Sequence, residues 1–450
     1  MRHDLPFRMI TTFYFCTMVV YISFFSASSA STKELLRDAD IENALNQLAT
    51  PILSAANLER HDIKILVVDD QAINAFIINN RAIFINYGLI LKASTPEMLQ
   101  AVIAHEAAHI ANGHIPRRTE SVRNAQSLSR FGIALAIAAG VAAGPDVATG
   151  LAIGTSGSSW RNFLKHTRAE EAAADQTALI YMQKAKVDPN GMVELHQLIR
   201  SQESLSESRQ DPYMRSHPLT KNRIRAAKTM VDLNNTEIQP NPHAQYWFAR
   251  LRGKLSAFKE PPKRTLKQIN KEKYDDVQNM RKAVAYHRQS KTKDAINAID
   301  AAISIRNNKD GFYFELKGQI LLESRKLKNA LTAYREAQKI EPDNSQILAG
   351  LGRAELASGE YQTASETLKR AHAQDHNDTR ILRDLGQAYA NQGKIGLASL
   401  VTAELYEILG RLADANIQAK RALNLLPEGS ANWLRAQDIF VATKKFKKKG

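Results

Sequence analysis

The chain has 450 residues, of which 44% are hydrophobic, enough for two or three packed domains and too apolar for wholesale disorder. Its net charge of +15 admits an anionic membrane surface, acidic partners or nucleic acid. No zinc finger, aromatic RNA-binding strand or basic helix-turn-helix pattern is present, so a nucleic-acid partner is unlikely on sequence grounds.

Residues 1–30 read as a secretory leader. Arg2 and Arg8 form a basic start, Met9 to Phe25 an apolar run, and Ser26 to Ala30 a small-residue stretch with a cleavage site near Ala30. A retained anchor is the alternative, but a run of about 17 residues lies at the lower limit for spanning a bilayer. The single cysteine, Cys16, falls in this leader without a lipobox around it, so the mature chain is expected to hold together without disulfides.

Residues 33–60 predict a helix carrying Leu35, Leu36, Ala39, Leu45, Leu48, Ile52 and Leu53. Three β-branched runs follow, at Ile63–Val68, Ala75–Ile78 and Ala82–Asn86. They are separated by Asp69-Asp70 and Asn79-Asn80, which predicts an antiparallel meander. A short helix around Leu89–Lys92 precedes Ser94-Thr95-Pro96-Glu97, a strong helix start with a hydroxyl cap, an early proline and an acidic first turn.

That helix contains His105-Glu106-Ala107-Ala108-His109. Four residues make about one helical turn, so both imidazoles project from one face and can reach a single zinc ion. Glu106 sits about 100° around the helix, placed to act on a water rather than to coordinate. Two histidines make a weak catalytic site without a third protein ligand. Downstream, Arg168-x-x-Glu171-x-x-x-Asp175 offers one: on a helix Glu171 and Asp175 share a face, and Asp175 could hold a ligand histidine by its second ring nitrogen. On spacing alone Glu170 competes with Glu171.

Between these motifs, residues 121–160 are rich in Ala and Gly. Residues 131–154 read either as small-residue helices packed on the catalytic part or as a hairpin making peripheral contact with a membrane. Further helices are expected over 163–185, over 190–200 and after Ser216-His217-Pro218, a segment that also reads as a turn capping the next helix. Residues 235–265, with four prolines, read as an irregular connector around one helix at 244–258.

The last third repeats with a period of 34. Phe314, Gly318, Leu321, Ala330, Tyr334, Ala337 and Pro342 are followed by Leu348, Gly352, Ala364, Leu368, Ala371 and His376. Leu382, Gly386, Tyr389 and Ala398 come next. After a half-unit slip come Ala415, Ala419, Ala422 and Pro427, while Met280–Ile305 reads as a degenerate first unit. This is the pattern of a tetratricopeptide array, with small residues where paired helices cross and a protein-binding concave face.

These motifs resemble the HtpX- and CAAX-protease-type zinc metallopeptidases, in which H-E-x-x-H is followed by a helix with R-x-x-E-x-x-x-D. The resemblance selects Glu171 over Glu170 as the third ligand and gives Asp175 the role of orienting a ligand histidine. It also implies that His217 lies near the metal, as an extra resting ligand or a transition-state donor, with Arg223 close by. It implies one Zn2+ per chain and a gluzincin-type endopeptidase, H-E-x-x-H plus Glu. The order of leader, catalytic half and repeats is similar to periplasmic members of the family. That similarity implies misfolded or stalled outer-membrane proteins and their assembly machinery as partners. The chain departs from such members in having no cysteine pair, and in carrying Gly113 where an arginine commonly precedes the next histidine; His114 is expected to be structural, near a helix end.

The expected fold is α+β, mostly α: a zincin-like metalloprotease domain with a small β-sheet over 31–265, then a tetratricopeptide solenoid over 266–443. A solvated basic tail over 444–450 ends the chain.

Overall fold

The computed structural model describes residues 34–59, 63–114, 167–200, 202, 205, 209–233 and 239–444. The expected leader, the Ala/Gly-rich stretch at 131–154 and the tail beyond Lys444 lie outside them. Among the described residues no helix is long and apolar enough to cross a membrane.

The chain enters as a short strand β1 (Leu35–Leu36) and then helix α1 (Ala39–Ala55). The predicted helix over 33–60 is therefore shorter at both ends. Asp38 caps α1 by accepting hydrogen bonds from the amides of Asp40 and Ile41, which leaves Leu35 and Leu36 to extend a sheet. Strands β2 (Lys64–Val68), β3 (Ala75–Asn79) and β4 (Ala82–Asn86) complete that sheet in the order β1-β2-β4-β3.

This is not the predicted meander. β3 and β4 form a hairpin, but β4 runs parallel to β2 and lies between β2 and β3. Every residue of β4 is buried, as suits a central strand, and the stretch 69–74 carries the chain past β4 to the edge. Asn86 holds that stretch, its amide bonding the Asn74 carbonyl and its side chain the Ala72 carbonyl.

One face of the sheet, with Ile65, Val67, Ile77, Ile83 and Ile85, packs on Leu45, Leu48 and Ile52 of α1 and on the helices that follow. These are α2 (Tyr87–Lys92), α3 (Pro96–Ala111), α4 (Arg168–Lys184), α5 (Asn190–Arg200), α6 (Pro212–Ser216) and α7 (Lys221–Leu233). Next, α8 (Pro242–Lys259) is part of the core rather than a connector. Its Phe248, Leu251 and Leu255 join the catalytic core, while Ala257 joins that of the first repeat helices.

After α9 (Pro262–Lys267) come five antiparallel pairs: α10 (Asp275–His287) with α11 (Thr292–Ile305), α12 (Gly311–Glu323) with α13 (Leu327–Ile340), α14 (Ser345–Ala357) with α15 (Tyr361–Gln374), α16 (Thr379–Asn391) with α17 (Ile395–Ile408), and α18 (Leu412–Leu425) with α19 (Ala431–Thr443). The repeat positions do the work their residue types suggest. A Cβ on Gly318 would lie 2.8 Å from the Tyr334 ring, and one on Gly352 would lie 2.6 Å from Leu368. Each glycine lets a bulky residue of the paired helix close over it.

A buried ionic network joins α1 and α8 to the repeats. Arg250 of α8 is fully buried; it donates to Asp40 of α1 at 2.7 Å and to both oxygens of Asp310, the α12 cap, at 2.5 and 2.9 Å. Its guanidinium also lies 3.9 Å from the Tyr313 ring centre. Lys254 pairs with Asp38 at 2.8 Å, and Glu315 is 3.9 Å away. Farther along, Arg37 and Lys64 both reach Asp375, in the loop between α15 and α16.

Removing Arg250 leaves two buried carboxylates facing each other. Arg250→Ala is expected to lower stability by about 3–5 kcal/mol, read as an earlier urea midpoint followed by circular dichroism. Burial, with Asp38 and Asp40 beside it, pushes the Glu315 carboxyl up to about 8. A raised folded-state value means stability that is complete below the ordinary 4.5 and is lost as pH rises through about 8. The urea midpoint should fall across that window in the wild type and fall less in Glu315→Gln.

Candidate metal centre

The centre is built on α3. Thr95 caps this helix by accepting from the Met98 amide, Pro96 opens it, and Met98 through His109 are all buried. Such a helix carries polar groups inward only where partners meet them. The partners come from α4, which Thr167 starts with a reciprocal cap: Thr167 accepts from the Glu170 amide while Glu170 accepts from the Thr167 amide. Glu170 is thus folded back on the helix start, whereas Glu171, one step around, is fully buried against α3. Ala108 of α3 and Ala174 and Ala178 of α4 are small, buried residues that let the two helices approach.

Four side chains converge. His105 Nε2 lies 3.0 Å from His109 Nε2 and 3.3 Å from His217 Nδ1. Glu171 Oε1 lies 3.3 Å from His109 Nε2 and 3.0 Å from His217 Nδ1, and Glu171 Oε2 lies 3.4 Å from His105 Nε2. These four residues form a group that could hold a metal ion, with one donor atom of each within 4.8 Å of all the others. Donors about 2.1 Å from one ion at tetrahedral angles sit about 3.4 Å apart, so the separations fit a single small divalent cation with N/O preference. Glu106 stands beside the group, Oε1 3.4 Å from His217 Nε2, and is itself fully buried.

A second layer holds the first. His105 Nδ1 is 3.0 Å from Asp175 Oδ1. Arg223 of α7 grips Asp175 with two hydrogen bonds, Nε to Oδ2 at 2.6 Å and Nη2 to Oδ1 at 2.8 Å. Its Nη1 reaches Glu171 Oε2 at 2.8 Å and also donates to the Pro218 carbonyl. That last bond ties the segment after His217 to the centre. The His217 ring lies 4.4 Å from the ring of Tyr213, whose amide bonds the Ile73 carbonyl just before β3.

The electrostatics follow from burial and charge. Burial alone would push the Glu171 carboxyl up. The His217 and His105 charges and the imidazole hydrogen bonds outweigh it and hold Glu171 well below its usual range. Burial is likewise outweighed at Asp175, by His105, His196 and Arg223. Burial would lower the His105 ring value, but Glu171 and Asp175 push it up to about 10. His109 goes the other way: burial, with His105 and His217 nearby, lowers it well below its usual value. The carboxylates thus draw positive charge into the donor group.

The structure brings together the sequence-chosen residues His105, Glu106, His109, Glu171, Asp175, His217 and Arg223. One neighbour escaped the sequence reading. His196 of α5 is buried with Nε2 3.3 Å from Asp175 Oδ2; in the sequence it is one histidine beside the apolar stripe Met192, Leu195 and Ile199, which marks burial but no function. His114, expected at a helix end, is buried with its Nδ1 2.8 Å from His109 Nδ1.

Known proteins match in the same two parts. Residues 35–231 match peptidase family M48, and residues 321–387 match the tetratricopeptide repeat. The beta-barrel assembly-enhancing protease of Escherichia coli (strain K12) is 22% identical over 391 residues, covering 85% of this chain and 78% of that one. That of Yersinia pestis is 22% identical over 422 residues, covering 91% and 83%. Among solved structures, the tetratricopeptide protein YrrB, described as having an unusual peptide-binding site, aligns with a TM-score of 0.30 at 18% identity, covering 40% of this chain and 92% of that one. The chain carries a domain of peptidase family M48 followed by tetratricopeptide repeats.

Proposed function

We propose that the protein is a zinc-dependent endopeptidase of the gluzincin type. On this reading it acts in the periplasm after leader cleavage, on misfolded or stalled outer-membrane proteins, which its repeats grip. The observation that carries the chemistry is the convergence of His105, His109 and Glu171 at ligand spacing with Glu106 alongside. The quality-control role is supported by likeness to the beta-barrel assembly-enhancing proteases over most of the chain.

His105, His109 and Glu171 would hold one zinc ion, which when bound polarises a scissile carbonyl and lowers the pKa of a water towards about 7. Glu106 would take a proton from the attacking water and later deliver it to the leaving amine. Asp175 would keep the His105 proton on Nδ1 and so leave its Nε2 lone pair for an ion, while Arg223 fixes both carboxylates. Glu106→Gln keeps the shape of the site and removes the base. Its cleavage of unfolded casein should fall about 10²–10⁴-fold with zinc content unchanged; wild-type cleavage would rule out Glu106 as the base.

One observation favours a site closed at rest. His217 Nδ1 lies as near Glu171 and His105 as the other donors do, and four protein donors leave no open position on a tetrahedral ion. The substrate's carbonyl would then enter only after His217 withdraws. Casein cleavage by His217→Ala should rise several-fold over wild type; a fall would instead support His217 as a donor to the transition state.

A further inference from the structure

His114 has no place in the proposed mechanism, yet its Nδ1 lies 2.8 Å from the second ring nitrogen of His109. On a straight continuation of α3, residue 114 would lie five steps of 100° beyond residue 109, on a different face. Helix α3 ends instead at Ala111. The Asn112 amide bonds the Ala108 carbonyl, and the Gly113 amide bonds that of Ile110. Gly113 then takes φ +68°, a left-handed conformation that glycine adopts at little cost. The chain turns back and buries His114 against the helix it has just left. The two rings meet edge to face, 4.9 Å between centres at 66°, with Nδ1 of each 2.8 Å apart.

Two nitrogens at that distance share one proton. His109 Nε2 faces His105 and Glu171, and there its lone pair is what the donor group needs. The proton of a neutral His109 ring is then on Nδ1, and His114 Nδ1 at 2.8 Å is placed to accept it. We propose that His114 is a positioning residue for the metal centre. Its Nδ1 accepts a hydrogen bond from His109 Nδ1–H, fixing the tautomer and rotation that turn His109 Nε2 to the ion. Asp175 does this for His105 with a carboxylate, so the two ligand histidines are held by different chemistry. The assignment rests on the metal-binding reading of His105, His109 and Glu171 given above.

Asparagine and glutamine separate this role from mere space-filling. Asn Oδ1 stands where His Nδ1 stands, one bond from Cγ, whereas Gln Oε1 lies one carbon farther out. Zinc affinity of the full-length chain would be measured by competition with a chromophoric chelator, with circular dichroism to check folding. His114→Ala should weaken zinc binding about 10–100-fold, His114→Asn should restore it to within a few-fold of wild type, and His114→Gln should not. Wild-type affinity in His114→Ala, or rescue by Gln and not by Asn, would overturn the assignment. His109→Ala is the control for the underlying reading: if it retains wild-type zinc affinity, the metal reading and the role of His114 fall together. If it loses zinc while His114→Ala does not, only the role of His114 falls.

Discussion

One carboxylate holds the centre together. Asp175 stands on α4 and touches His105 of α3, His196 of α5 and Arg223 of α7. Four helices far apart in the chain thus share one small group. A buried carboxylate with a single partner costs more than it returns, because desolvation outweighs one contact. Asp175 offsets that cost with the two-pronged guanidinium of Arg223 and two imidazoles, which hold its carboxyl well below the usual range despite burial. Glu171, one helical turn earlier, depends on the same arginine. Arg223 therefore offsets part of the negative charge that Glu171 and Asp175 bring into the core.

A second buried network does for the whole molecule what Asp175 does for the centre. Arg250 and Lys254 lie on α8 and face carboxylates from α1 and from α12. Hydrophobic contact also joins these parts, as in Ala39 packed with Phe312, Ala337 and Ile347. Apolar contacts alone tolerate sliding, because they are non-directional. A bidentate bond to the cap of α12 does not, since it fixes both distance and angle. The repeats are therefore docked at a defined orientation on the part that carries the metal centre. With α8 buried in both cores, the two parts share an element rather than meeting across a linker.

Local rules made much of this legible. The caps of α3, the one-turn histidine spacing and the 34-residue repeat depend on neighbours within a turn or a repeat, and the structure follows them. What was missed depends on distant parts of the chain. The strand segments were visible, but their order was not, because short turns suggest adjacency while β4 takes the central place for its fully apolar faces. Four prolines around 240–262 suggested a connector, yet Pro242 and Pro262 sit at helix starts, where a missing amide hydrogen costs nothing. Glu170 and Glu171 were equivalent by spacing, and only the cap at Thr167 shows why one turns out and the other in. His114 was expected near a helix end, but its contact with His109 depends on the φ of Gly113, which a periodic reading of the helix cannot anticipate.

The alanines of the motif set a tolerance that the charged residues cannot set for themselves. A glutamate reaches only a few ångströms from its helix, so Glu171 can meet ligands on α3 only if the two helix axes come close. Interaxial distances of 8–10 Å follow the size of the side chains at the contact, and small ones give the lower end. Ala108, Ala174 and Ala178 are all fully buried. They contribute little to burial energy, which comes instead from Leu45, Leu48, Ile52 and the sheet. The work is thus divided: a bulky core supplies stability at a distance from the donor group, and a poor but thin contact supplies geometry beside it. A larger side chain at any of these positions would add apolar area and still push the third donor out of reach, which is why the two tasks fall to different residues.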